Sequence, residues 1–375
     1  MEIYEDRIRE AKKRARSEIK INQWDQYKFC QLDLDKALGE PADNLPRVHC
    51  DDMSPAEFVE RFENPALPCI IQGCMDKWPA MNAWTHKWLR ETFKDSKLKC
   101  GEDDDGDKVK LRLKHFMRYM ELQQDDAPLY TFDADYGDAG KETRAMLDDF
   151  DVPEYFREDL FQYSGEDDRP PYRWFLAGPK RSGSSIHIDP LATSAWNAVI
   201  SGRKRWVLFP PGTPKSAIKP ARWLDRPDHE AIDWFLYELA GIREALPEHQ
   251  QPLELYQYPG EIIYVPGGWW HTVLNVEDSI AITQNFCSTA CFPAVWLDTR
   301  KSRTKLARRW LRALKPIRPD LYEITCNLAG DGSGKITPED DLDDLLEEKR
   351  RRKEKKKQKK RQDKESRKRK ERSFM

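Results

Sequence analysis

Two stretches of the chain carry residue types that bind transition metals. In Ser185-Ile-His-Ile-Asp-Pro190 an extended backbone alternates its side chains, so His187 and Asp189 point to one face while Ile186 and Ile188 point to the other. In Gly260-Glu-Ile-Ile-Tyr-Val-Pro-Gly-Gly-Trp-Trp-His-Thr-Val-Leu-Asn275, Pro266 ends a strand and Gly267 and Gly268 allow a tight turn. The next strand then begins with His271 facing inward. Two imidazoles and one carboxylate on one face of a metal leave three positions open, the arrangement used by non-haem Fe(II) oxygenases. Zinc hydrolases share part of this ligand set. An isolated His-x-Asp is more often a pair of ordinary core residues, so the metal reading depends on the two stretches together.

An Fe(II) oxygenase of this kind needs a place for a keto acid. 2-Oxoglutarate chelates iron through its C1 carboxylate and C2 ketone, leaving the C5 carboxylate deeper in the core, where an unpaired charge would be very costly. In Gly202-Arg-Lys-Arg-Trp-Val-Leu-Phe209, Lys204 shares a face with Trp206 and Leu208, as an inward lysine would, and Arg203 and Arg205 are expected to face outward. Thr283 lies on Ile280-Ala-Ile-Thr-Gln-Asn-Phe286, on the same face as Asn285, and offers a hydroxyl to the same carboxylate. Asn197 could hydrogen-bond the metal-bound end. The alternative for each is an internal polar residue satisfied by backbone, or for Lys204 a side chain that reaches solvent.

The elements that must position these residues are short strands, rich in β-branched and aromatic residues and broken by Gly and Pro. They are expected near 173–177, 184–189, 193–200, 204–209, 253–257, 261–265, 271–275 and 279–286. Such a series implies a barrel or sandwich. Upstream, 69–73 and 109–113 read as strands, 101–107 as a solvated acidic loop, and 143–165 as helical or irregular. Ser54-Pro-Ala-Glu57 reads as a helix start, with Ser54 as cap, Pro55 at the first position and Glu57 completing a capping box. An insertion over 210–252 contains a helix around 228–240. After Pro293 the pattern is helical, with Leu306, Trp310, Leu311 and Leu314 on one stripe that either packs on a core or forms a dimer interface. The expected organisation is a basic N-terminal segment (1–45), an α/β region (46–140), the β core (141–300), a helical region (301–330) and a charged, disordered or singly helical tail (331–375).

With 39% hydrophobic and 11% aromatic residues in 375, the chain can bury one large core or two modest ones. The net charge of −2 conceals an asymmetry, because 349–375 carries 17 Lys/Arg against 4 Asp/Glu and leaves the body acidic. Any nucleic-acid contact should therefore run through the basic termini, and the lysine-rich tail also reads as a nuclear localisation signal. The tail has no interleaved aromatics, so sequence-specific RNA reading has no support. No signal peptide opens the sequence, and no apolar run approaches the roughly 20 residues that span a bilayer. Eight cysteines without a CxxC exclude a zinc knuckle and a disulfide framework as the organising feature. Asp331–Asp340 imitates part of an EF-hand loop but offers Ala329 at its first ligand position, so calcium is not expected. His49, His86, His115, His229 and His249 have no ligand setting and read as structural.

Gly260–Asn275 fits the second motif of the cupin superfamily, G(x)5PxG(x)2H(x)3N, at every fixed position. Together with Arg7-Ile-Arg-Glu-Ala-Lys12, Glu57-Phe-Val-Glu-Arg61, Cys100-Gly-Glu-Asp103, Asp126-Ala-Pro-Leu-Tyr130, Pro170-Pro-Tyr-Arg-Trp-Phe175, Thr193-Ser-Ala-Trp-Asn197 and Phe209-Pro210, it gives a chain that resembles the Jumonji-C oxygenases over residues 7 to about 318. The resemblance implies a mainly β fold, a double-stranded β-helix (jelly-roll) core with flanking N- and C-terminal helices. It implies Fe(II) on His187, Asp189 and His271, and 2-oxoglutarate on Asn197, Lys204 and Thr283. Ser184 stands where a relative has threonine, and Tyr130 and Asn285 line the same pocket. It further implies consumption of O2 and 2-oxoglutarate, release of succinate and CO2, and 5-hydroxylation of lysine in basic nuclear proteins such as RS-rich splicing factors and histones. A histone arginine or lysine demethylase of the same fold and a non-catalytic RNA-binding or splicing scaffold are the alternatives. Asp103, Asp104, Asp105 and Asp107, or the 147–151 region, could steer a cationic peptide.

Overall fold

The computed structural model describes residues 2–165, 168–224, 230–330 and 336–372. Its strands are β1 (Arg47–His49), β2 (Cys69–Gln72), β3 (Lys97–Glu102), β4 (Lys108–Arg112), β5 (Thr131–Asp133), β6 (Arg173–Gly178), β7 (Gly183–His187), β8 (Ser194–Ser201), β9 (Lys204–Phe209), β10 (Leu253–Gln257), β11 (Ile262–Val265), β12 (Trp270–Asn275) and β13 (Ser279–Phe286). The eight from β6 onward lie within two residues of the expected positions, because alternation along a half-buried strand is a direct record of its pleat. Strands β1, β3 and β5 had no such record.

Contacts divide the chain into two units, 1–159 with 171–291, and 160–170 with 292–375. In the first, a seven-stranded sheet in the order β1-β2-β11-β8-β13-β6-β5 faces a four-stranded sheet in the order β10-β9-β12-β7. This is the jelly-roll arrangement. Between the sheets Trp206, Leu208, Leu255, Ile263, Val265 and Val273 form an apolar layer. The label "mainly β" suits this core, but 45% of the chain is helical.

Ser54 caps its helix as the capping box requires: its hydroxyl accepts from the Glu57 amide at 3.3 Å, and the Glu57 carboxylate accepts from the Ser54 amide at 2.8 Å. Phe58 follows and packs edge-on against Phe156 and Tyr264 in the core. The expected helix around 228–240 is two helices, Ala231–Tyr237 and Leu239–Ala245, preceded by Lys215–Ile218 and Ala221–Leu224. His229 lies outside the described residues.

Several expectations need correction. Arg205 does point away from the sheet interior, yet it is fully buried, because residues near Gly39 and the strand β10 cover that face. Its guanidinium donates to the Gly39 carbonyl at 2.9 Å and to Glu254 at 2.8 Å, and Arg243 reaches the same carboxylate at 2.6 Å. Glu254→Ala would strand Arg205 without its counter-charge. The expected cost is about 3–5 kcal/mol, read as a lowered denaturation midpoint; a change below about 1 kcal/mol would show that the pair is replaceable.

The basic N-terminal segment is not a free arm either. Residues Glu2–Ala15 form a helix whose Ile8 and Ala11 are buried, and its cations meet acids of the same unit: Lys12 with Asp125 at 2.6 Å and Arg14 with Asp103 at 2.6 Å. Ser17 donates to Asp104 at 2.7 Å. Part of the acidic loop is therefore already engaged by this chain, leaving Asp105 and Asp107 exposed.

In the second unit the helices Phe292–Ser302, Thr304–Ile317 and Pro319–Asn327 pack together, so 292–300 belongs with the C-terminal helices rather than with the β core. Leu306, Trp310, Leu311 and Leu314 are all buried; Trp310 stacks on Phe161 at 4.5 Å and donates to the Leu160 carbonyl. The stripe is core, and a dimer cannot use it. The tail, expected as disordered or singly helical, is a helix over Pro338–Arg372. Thr337 accepts from the Asp340 amide, acids fill the first turn, and Glu347–Arg351 and Glu348–Arg352 pair at i,i+4. The first half of the EF-hand-like segment, 331–335, lies outside the described residues. No helix among those described is long and apolar enough to cross a membrane.

Candidate active site

His187 and His271 are direct register partners on the antiparallel strands β7 and β12, which puts both rings on one face with centroids 4.3 Å apart. Asp189 follows β7 by two residues in extended backbone, and its carboxylate lies 3.7 Å from His187 Nε2 and 3.9 Å from His271 Nε2. The three ligand atoms fall within 4.8 Å of one another. Each imidazole is oriented from behind: Nδ1 lies 2.7 Å from the Ser185 carbonyl for His187 and 3.1 Å from the Trp269 carbonyl for His271. A proton on each Nδ1 leaves each Nε2 as a lone pair facing the cluster, the tautomer a metal requires. Burial, and then the adjacent His271, push the His187 imidazole below its ordinary pKa against the opposing pull of Asp189, which favours that neutral form.

The turn that delivers His271 depends on two glycines. Gly268 has φ +86°, and a Cβ on Gly267 would lie 2.1 Å from the Ala192 carbonyl oxygen, so only glycine fits where the two turns meet.

The cluster opens into a cavity of about 300 Å³ lined by residues of both sheets, including Tyr130, Ser184, Asn197, Lys204, Thr283 and Asn285. All nine residues expected at the site, the three ligand candidates included, are thus brought together. Lys204 is 1% exposed, and among the described residues no carboxylate pairs with it. It donates to the Asn275 side-chain oxygen at 2.6 Å and to the Tyr130 hydroxyl at 3.2 Å. Burial alone pushes its ammonium down to about 7, with no acidic side chain to offset that cost. Burial also raises the Tyr130 phenol above its ordinary value, keeping that hydroxyl a donor. The Asn197 side-chain oxygen is buried without a hydrogen-bond partner. Thr283 lines the cavity, but its hydroxyl donates to the Trp196 carbonyl at 2.8 Å, and the Asn285 amide donates to Thr193 at 2.9 Å. A buried lysine with no acidic side chain beside it, across one cavity from a two-histidine, one-carboxylate cluster, fits a dicarboxylate that also chelates a metal.

Residues 55–290 match the family model of the cupin-like domain. The chain belongs to the cupin-like Jumonji-C family of oxygenases. Among its relatives, the bifunctional arginine demethylase and lysyl-hydroxylase psr-1 of Caenorhabditis elegans is 40% identical over 322 residues, covering 85% of this chain and 79% of that protein. The arginine-specific demethylase JMJ22 of Arabidopsis thaliana is 40% identical over 254 residues, 66% of this chain and 46% of that protein. The 2-oxoglutarate and iron-dependent oxygenase JMJD4 of Mus musculus is 27% identical over 264 residues, 64% and 60% of the two. The expected Jumonji-C oxygenase class, with iron and 2-oxoglutarate as its cofactors, is borne out.

Three features of this Jumonji-C cavity escaped the sequence reading. Asn275, visible only as the closing position of the second motif, is the lysine's nearest partner. Phe132 and Trp174 form an aromatic wall with centroids 5.6 Å apart, and Tyr130 continues it at 6.3 Å. Trp174 sits opposite Thr283 in the β13–β6 register, a pairing the sequence does not reveal. The second grouping of potential ligands, His49, Cys50 and Asp51, consists of chain neighbours in which the His49 ring accepts from the Asp51 amide.

Proposed function

We propose that this protein hydroxylates lysine side chains of basic nuclear proteins at C5, with Fe(II) held by His187, Asp189 and His271 and 2-oxoglutarate anchored by Lys204. The supporting observation is the buried Lys204 side chain, with no carboxylate partner among the described residues, in one cavity with the two-histidine, one-carboxylate cluster. Bound Fe(II), 2-oxoglutarate and O2 supply the oxidising power for C–H oxygenation, with succinate and CO2 as by-products. The chain's own residues hold and orient. Lys204 and the Tyr130 hydroxyl receive the distal carboxylate, and Asn197, with its free side-chain oxygen turned to a donor by an amide flip, meets the metal-bound end. Ser184, Thr283 and Asn285 complete the wall. Phe132 and Trp174 receive the aliphatic stem and cationic head of the substrate side chain.

Arginine demethylation is the second reading, since relatives carry both activities in their names. Mass spectrometry of lysine- and arginine-rich peptides after reaction separates the two: one oxygen gained on lysine supports the hydroxylase, and loss of a methyl from methylarginine with unmodified lysine supports the demethylase. The basic half of the helix Pro338–Arg372 serves nuclear import and non-specific RNA contact. Deleting 349–375 should prevent nuclear accumulation of a fluorescent fusion and leave succinate formation intact; normal import would place the signal elsewhere.

A further inference from the structure

We propose that Cys287 and Cys291 form an oxidation site, a dithiol poised to close into a disulfide when Cys291 meets a peroxide. The two sulfurs converge on one residue. The Cys287 thiol donates to the Ser288 carbonyl at 3.7 Å, and the Cys291 thiol donates to that same oxygen at 3.6 Å. The Cys291 sulfur also accepts from the Ser288 amide at 3.2 Å and the Ser288 hydroxyl at 3.5 Å. Two donors aimed at one sulfur stabilise its thiolate, the form that attacks an oxidant. The turn holding them is fastened at both flanks: the Cys287 amide donates to Asp159 at 3.0 Å, and Thr289 donates to Glu158 through its amide and hydroxyl at 2.8 and 2.7 Å.

The rest of the chain supplies contrast. Burial pushes the Cys69, Cys74, Cys100 and Cys287 thiols up, whereas the Cys287 hydrogen bond, and then Ser288, pull Cys291 down against burial and the nearby Glu63 carboxyl. Cys291 is half-buried and Cys287 fully buried, so Cys291 is the more exposed residue of the two.

The chemistry balances in two steps. The Cys291 thiolate attacks one oxygen of hydrogen peroxide, the O–O bond breaks, and Cys291 sulfenic acid forms as hydroxide leaves and is protonated to water. The Cys287 sulfur then attacks the sulfenic sulfur, forming the S–S bond; the hydroxyl departs with the Cys287 proton as a second water. Two thiols are oxidised by two electrons and the peroxide is reduced. The resulting clip sits directly after β13, the strand carrying Thr283 and Asn285.

The test treats the full chain with hydrogen peroxide, alkylates the remaining thiols and weighs the tryptic peptide 244–300, which contains Cys287 and Cys291 and no other cysteine. The expected result is a peptide lighter by two hydrogens, unalkylated at both positions and restored by dithiothreitol. Cys287→Ser should stop at a sulfenic acid on Cys291 that dimedone traps, and Cys291→Ser should leave Cys287 fully alkylated. Alkylation of both cysteines in the wild type while other thiols are oxidised would overturn the proposal, as would dimedone labelling of Cys287 in Cys291→Ser.

Discussion

Replacing His187 with alanine is expected to abolish Fe(II)-dependent succinate formation. Removing a residue that merely supports a metal ligand typically costs roughly 10–100-fold. His187 is a proposed ligand, with Nε2 3.7 Å from the Asp189 carboxylate, so its loss should exceed that range and reduce iron retention in parallel. The substitution should spare the fold, because His187 ends β7 and part of its side chain, 40%, remains exposed to the cavity. Measuring bound iron and succinate on the same sample checks both points. Wild-type turnover in the variant would remove His187 from the site.

Lys204→Met is expected to raise the KM for 2-oxoglutarate by about 100-fold or more, since breaking one side of a buried charge pair costs on the order of 3–5 kcal/mol. Iron binding should hardly change. The free protein should become no less stable, because methionine fills the same space without the cost of burying an ammonium. Wild-type KM would put the distal carboxylate elsewhere.

The depressed lysine also dictates a pH profile. Its free-state pKa of about 7 lies below the ordinary value of 10.5, and the dicarboxylate binds the protonated form. KM for 2-oxoglutarate should therefore rise as pH increases above about 7, approaching tenfold per unit, and flatten below it. The sign for stability of the ligand-free protein is opposite. Folding disfavours the lysine's proton, so this group's penalty is full below about 7 and is lost as pH rises toward 10.5. Lys204→Met should erase both dependences.

The strands and the ligand cluster were legible because each rests on local rules. Period-two alternation placed β6 to β13 and put Lys204 inward, and His187-x-Asp189 with the Gly267–Gly268 turn specified which faces carry ligands. What stayed hidden depends on which segment covers which surface. Arg205 was assigned outward correctly but not to burial, since nothing near it in sequence announces that Gly39 and Glu254 close over that face. The acidic loop around Asp103 looked free until the N-terminal helix supplied Arg14. Asn275 and Trp174 acquired roles only through strand register, which fixes what stands opposite Lys204 and Thr283. The tail's helicity follows from capping and i,i+4 pairs that its lysine-rich composition masked.

The most direct measurement is the ratio of oxygen incorporated into a lysine-rich peptide to succinate released, in one reaction, with and without Fe(II). The arrangement of His187, Asp189, His271 and Lys204 predicts one oxygen atom on lysine per succinate, and neither product without Fe(II). Oxygenated lysine without succinate, or either product in the absence of Fe(II), would contradict it.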